Sequence, residues 1–182
     1  MLRFIVTGAP GAGKTTILKV LRARGYAVVD EAATDVHARE QSLGTQEPWR
    51  DAGFIDAIAF VQRTRQQRPP PPGAAVQLYD RSPICTVALA QYLGRPIPRI
   101  LESEVNRILR EGIYQPRVFF IRLLGFVTRT AARRISFAQS VRFERFHEQA
   151  YRAHGYELVD VPAGTVEERA DLIDRYIRSW VG

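Results

Sequence analysis

Nine residues near the start of the chain, Gly8-Ala9-Pro10-Gly11-Ala12-Gly13-Lys14-Thr15-Thr16, constrain it more than any other feature. The first eight match G-x-x-x-x-G-K-[ST] position by position, the Walker A pattern. Leu2, Phe4, Ile5 and Val6 form the short apolar run of a buried strand before it, and Ile17, Leu18, Val20 and Leu21 recur at helical spacing after it. The pattern therefore stands where its physics operates, in a glycine turn between a strand and a helix. There, successive backbone N–H groups turn inward and form a concave anion site. The opening helix adds unpaired amides and the positive end of its dipole. Gly8 to Thr16 are the expected phosphate-binding residues, with Lys14 reaching the β- and γ-phosphates and the Thr15 hydroxyl holding Mg²⁺.

The rest of the chain alternates strand and helix signals. Residues 26–29 read as a second strand that ends on Asp30-Glu31. In a parallel sheet, carboxylates at a strand's carboxyl end open onto the ligand crevice. Asp30 is expected to cap the following helix, over 32–43, leaving Glu31 as the functional group. A loop carrying Trp49 leads to a helix over about 51–67, whose stripe Phe54, Ile55, Ile58 and Val61 reads as core. Trp49 suits either stacking on a second substrate or pinning its loop to the core. Four prolines, Pro69 to Pro72, stiffen the connection to a third strand that closes on Asp80-Arg81-Ser82-Pro83. A strand ending in Asp is the Walker B pattern, in which the carboxylate holds Mg²⁺. Ser82 and Pro83 have the form of a helix start, Ser as cap and Pro in the first turn.

Helices over 83–93 and 99–111 precede a fourth strand at 117–122. Beyond it, Arg129, Arg133 and Arg134 lie in a segment, about 123–142, that reads as a lid. Arg129 and Arg133 are four residues apart, so on a helix they share a face. Arginines in such a place suit stabilisation of a phosphoryl group in flight. Ser136 to Gln139 and Thr165 to Glu168 have the form of capping boxes, each opening a helix. Between those helices lies a fifth strand at 156–161. The alternation predicts an α/β fold, a parallel sheet covered by helices on both faces.

A length of 182 residues fits a single domain. No apolar run approaches the roughly 18 residues of a membrane helix. The N-terminus runs straight into the first strand, and one cysteine, Cys85, leaves no internal disulfide, so a cytoplasmic protein is expected. The net charge is +7, and lysine occurs only at Lys14 and Lys19, so the positive charge is nearly all arginine. No nucleic-acid motif accompanies it, and a polynucleotide partner is not expected.

With these residues in hand, the chain resembles the nucleoside/nucleotide-kinase-type P-loop NTPases. Within them it is most similar to the small bacterial ATP-binding proteins labelled AAA-family ATPases, relatives of the ribosylnicotinamide-kinase domain of NadR. The resemblance rests on the phosphate loop, on Gly25-Tyr26-Ala27-Val28-Val29-x-Glu31-Ala32-Ala33, on Asp80-Arg81-Ser82, and on Tyr151-x-x-x-Gly155-Tyr156-Glu157-Leu158-Val159 through Ala170. It implies a three-layer fold with five parallel strands ordered 2-3-1-4-5, and ATP with Mg²⁺. It also implies an acceptor pocket near Glu31 and Asp80-Arg81, and a base site at Val161 to Gly164, including Pro162 and Ala163. The function expected is transfer of the ATP γ-phosphoryl to a small, nucleoside- or nucleotide-like acceptor. Lys14, Glu31, Asp80, Arg81, Arg129 and Arg133 would form the catalytic set, and Thr15 and Asp80 would hold the metal. The alternative is a regulatory ATPase switch with no acceptor.

Overall fold

The computed structural model describes residues 1–125 and 136–181. Five strands, β1 (Leu2–Thr7), β2 (Ala27–Val29), β3 (Val76–Asp80), β4 (Arg117–Ile121) and β5 (Glu157–Val161), form one parallel sheet ordered β2-β3-β1-β4-β5. The α/β expectation and the strand order both hold. Strand alternation sorts the core. Phe4, Val6, Leu78, Phe119 and Ile121 face one layer, while Ile5, Tyr79 and Val118 face the other.

The first layer is α1 (Lys14–Ala23) and α7 (Val166–Val181), which bury Ile17, Leu18, Leu21, Ala170, Ile173 and Ile177 against the sheet. The opposite layer holds α4 (Pro83–Tyr92), α5 (Arg99–Arg110) and α6 (Phe137–Ala153). Beside them, α2 (Ala32–Ser42), a 3₁₀ turn at Pro48–Arg50 and α3 (Phe54–Gln66) share a small apolar cluster of their own. α3 begins at Phe54, three residues later than the helix start expected at 51, because residues 51–53 form a bend and turn after the 3₁₀ turn.

Local chemistry explains most of the boundaries. α6 opens with the expected capping box, Ser136 Oγ accepting from the Gln139 amide and Gln139 Oε1 from the Ser136 amide. Thr165 and Glu168 do the same before α7. Of two further expected caps, one is corrected and the other holds in position. Glu31, not Asp30, is the N-cap residue of α2, and exposed Asp30 pairs with Arg22 at 2.7 Å. Ser82 occupies the N-cap position of α4 with Pro83 in the first turn, as expected, while its hydroxyl lies 2.8 Å from the buried Tyr151 hydroxyl rather than on a helix amide. Gln77, the polar residue in β3, is buried and accepts from the Tyr79 hydroxyl.

Register positions the chemistry. Val6 pairs with Asp80 and Thr7 with Phe120, so the loop leaving β1 rises between the ends of β3 and β4. That is the crevice beyond the strands' carboxyl ends where α/β sheets bind ligands.

Candidate functional site

Gly8, Gly11 and Gly13 hold φ of 138°, 89° and 87°, the left-handed region that favours glycine. Gly8 has a second reason. A Cβ there would lie 2.3 Å from the Ile121 carbonyl oxygen, so only glycine lets the loop pass the end of β4. Gly13 is the N-cap residue of α1 and carries no side-chain cap, which leaves the first amides of the helix free for an anion. Lys14 is buried, and its Nζ donates to the carbonyls of Gly8 and Ala9 at 2.9 Å each. Burial, followed by the nearby Arg81 guanidinium, presses its pKa down to about 8. Thr15 and Thr16 are exposed at the helix start, while Pro10 lines a cavity described below. Pro162 and Ala163 sit exposed in the turn after β5.

Three charged groups meet at the ends of β2 and β3. Asp80 is buried, and its Oδ1 has no hydrogen-bond partner among the described residues. Burial raises its pKa to about 6 against the pull of Lys14. Arg81 adopts φ 72°, the one described non-glycine residue in the left-handed region. Its amide continues the sheet by donating to Val6, 3.0 Å away, while its side chain turns to pair with Glu31. Glu31 also accepts from the Thr34 hydroxyl at 2.8 Å. Burial works against its charge, but Arg81 and Lys14 outweigh it and bring the pKa to about 2.

Arg81 has a second partner that sequence reasoning missed. His147, fully buried on α6, lies with Nε2 2.9 Å from Arg81 Nη1. A guanidinium only donates, so Nε2 must accept. Nδ1 therefore carries the proton and donates to the Phe143 carbonyl at 2.9 Å. Burial and Arg81 hold the imidazole pKa near 3, so it stays neutral. The clue lay in the helix period. Ser140, Phe143, His147, Ala150 and Tyr151 are the buried face of α6, and a histidine on such a face needs a partner.

Arg169 was missed for the same reason. It falls on the buried stripe of α7 with Ala170, Ile173 and Ile177. Tyr151 completes a third buried polar group beneath the loop, its hydroxyl 3.1 Å from Cys85 Sγ, which lies 2.8 Å from Thr7 Oγ1. This accounts for Cys85 as a satisfied interior thiol.

A cavity of about 260 Å³ opens beside Glu31 and Arg81, with Pro10 of the phosphate loop at one edge. Its walls are largely aromatic and aliphatic, among them Trp49, Phe54, Ile58, Leu89 and Phe143. Trp49 stacks on His37, ring centroids 5.6 Å apart and planes 7° from parallel, so it both anchors its loop and faces the cavity. Gln62 accepts from Thr86 Oγ1 at 2.9 Å, which leaves its amide hydrogens for the cavity. Phe54 and Ile58, read from sequence as core, form core and cavity wall together. The expected lid arginines Arg129 and Arg133, with Arg134, lie outside the described residues.

A family model described as the AAA domain matches residues 3–169. The chain belongs to the AAA domain family. No curated protein matches this AAA domain chain in sequence. Among solved structures, it is similar to deoxyadenosine kinase from M. mycoides with bound dCTP, at TM-score 0.62 and 14% identity, covering 98% of this chain and 100% of that one. The same enzyme with the products dCMP and a flexible dCDP gives 0.60 and 13%, covering 98% and 99%. With bound dATP it gives 0.55 and 13%, covering 97% and 100%. At these identities the likeness shows the fold alone, a P-loop NTPase fold like that of the kinase. Among the described residues, no helix is long and apolar enough to cross a membrane.

Proposed function

We propose that this AAA domain protein is a phosphotransferase moving the γ-phosphoryl of ATP to a hydroxyl of a nucleoside-like small molecule. The observation that carries the reading is the cavity, because it joins a residue of the phosphate loop, Pro10, to a carboxylate, Glu31, and then to an aromatic compartment sized for a planar ring. The nucleotides held by the structural neighbours agree with that size and chemistry.

Backbone amides of residues 11–16 would hold the phosphates, and Lys14 would exchange its loop carbonyls for the β- and γ-phosphate oxygens. The partnerless, buried Oδ1 of Asp80 and the exposed hydroxyl of Thr15 are hard oxygen donors and fit Mg²⁺. Bound there, Mg²⁺ would neutralise charge shared between the β- and γ-phosphates. Glu31 accepts the acceptor hydroxyl's hydrogen and aims its oxygen at the γ-phosphorus. As that oxygen–phosphorus bond forms, the bond to the β-phosphate oxygen breaks, ADP leaves and the hydroxyl proton passes to Glu31. A carboxylate held near pKa 2 is a weak base, which suits a loose transition state in which the proton moves late. Arg81 offsets charge beside Glu31, and Arg129 and Arg133 would do so from the lid. Pro162 and Ala163 would contact the base of ATP.

The test follows ADP release with purified protein, MgATP and a panel of nucleosides and nucleoside monophosphates. One acceptor should stimulate release, and Glu31→Gln should abolish that stimulation while ATP binding persists. Acceptor-independent hydrolysis indifferent to Glu31 would replace the transferase with the ATPase switch.

A further inference from the structure

Arg169 is an unusual residue to find behind a phosphate loop. It is 3% exposed on the sheet-facing side of α7, and no carboxylate pairs with it among the described residues. Its Nη1 donates to the Ala12 carbonyl and its Nη2 to the Arg122 carbonyl, both at 2.7 Å, while Nε has no partner among the described residues. A buried, unpaired guanidinium is costly unless a negative charge offsets it.

The peptide it grips matters. The Ala12 carbonyl and the Gly13 amide belong to one planar trans unit, so they point in opposite directions. Drawing the carbonyl toward α7 turns the Gly13 N–H away from α7. Gly13 holds the left-handed φ of 87° that this orientation requires, and a Cβ there would come within 3.2 Å of Arg169 Nη1. Through Arg122 the same side chain fastens the loop to the exit of β4, next to the close passage of Gly8 over Ile121.

We propose that Arg169 is a positioning residue for the polyphosphate: it fixes the Ala12–Gly13 peptide with its N–H aimed at the bound phosphates and places an uncompensated positive charge behind them. This rests on the nucleotide-binding half of the proposed function and needs no acceptor. The two roles have different signatures. Orientation requires a planar fork that spans two carbonyls, which a lysine ammonium cannot reproduce. Field alone requires only the charge.

The experiment measures the affinity of wild type, Arg169→Met and Arg169→Lys for MgATP and for inorganic tripolyphosphate by calorimetry, with the thermal midpoint of each apo protein as control. The expected result is a loss of at least about tenfold for both ligands in Arg169→Met, as for removal of a charge-assisted contact. Arg169→Lys should recover only a minor part of it. In wild type, tripolyphosphate should also shift the Gly13 amide proton downfield in the NMR spectrum, and in Arg169→Lys that shift should be reduced, which keeps the test decisive if the Met variant fails to fold. Unchanged affinities with a lowered midpoint would make Arg169 a brace for α7 only and overturn the proposal. Full recovery by lysine would overturn the orienting role. Wild-type protein that binds polyphosphate but phosphorylates no acceptor sinks the transferase and leaves this proposal intact, whereas failure of wild type to bind ATP and tripolyphosphate sinks both.

Discussion

The two halves of the site are built by different means. The proposed phosphate half is one continuous stretch, residues 8–16, and the groups that would bind there are chiefly main-chain amides set by glycine torsions. The proposed acceptor half is assembled from side chains of α2, α3, α4 and α6, the ends of β2 and β3, and the 3₁₀ turn at Pro48–Arg50. A backbone cradle tolerates any side chain that keeps its torsions, so it can be reused for one ligand chemistry. A cavity of scattered side chains changes shape with each of them, and an acceptor bound there would be selected by them. Arg81 and Lys14 join the halves through their fields on Glu31.

The sharpest test of that division is Lys14→Ala. Turnover should fall by about 10³ or more, the scale of losing a charge aimed at a transferring phosphoryl group. The thermal stabilisation by MgATP should disappear, because a ligand that no longer binds the native state no longer stabilises it. The apo protein should remain folded, as circular dichroism would show. A normal ATP-induced shift in this variant would break the assignment of the phosphate half.

Glu31→Gln should act on the other half alone. We expect kcat to drop about 10²-fold or more with ATP affinity nearly kept, since the interaction with a departing proton exists only in the transition state. Equal weakening of ATP binding would erase the boundary between the halves. Next in size, Trp49→Ala should raise the acceptor KM about tenfold, the scale of one lost stacking surface, with kcat and ATP affinity nearly unchanged. An unaltered KM would confine Trp49 to packing on His37.

The smallest effect is a pH dependence that separates two carboxylates. The pKa of Asp80 is raised by burial from 3.8 to about 6, so its contribution to stability is present at low pH and is lost as pH rises through about 4 to 6. Glu31 runs the other way. Its pKa is lowered to about 2, so its contribution is present above pH 4.5 and is lost as pH falls toward 2. Asp80→Asn should therefore raise the apo melting temperature by a few degrees at pH 8, with no gain near pH 4. Mg²⁺ with ATP should erase the gain by stabilising the wild type. A variant less stable than wild type at pH 8 would mean that the buried carboxylate is paired in the apo protein.

How much was legible follows from the range of each interaction. The capping boxes at Ser136 and Thr165 were readable because their partners lie three residues apart. The cap at Asp30 was misread, because residues one and two places beyond a strand end compete for one position, and the pair Arg22–Asp30 decided which won. The cap position of Ser82 was readable from the Ser-Pro pair, but not the partner of its hydroxyl, Tyr151, 69 residues away. His147 and Arg169 left a faint signal, polar residues on buried helical faces, but nothing in their own segments names Arg81 or Ala12 as the partner.

By itself, then, the sequence determined the phosphate loop, the alternation of strands and helices, and the carboxylates at the ends of β2 and β3, since each depends on neighbours along the chain. Strand order came through resemblance, not from periodicity, which does not say which strand lies beside which. Only the tertiary structure decided that Glu31 and His147 share Arg81, that Trp49 and Phe143 wall the same cavity, and that a helix 157 residues further on holds the Ala12 carbonyl. Those partners meet only after the sheet has formed, when burial makes an unpaired charge or polar group too costly to leave alone.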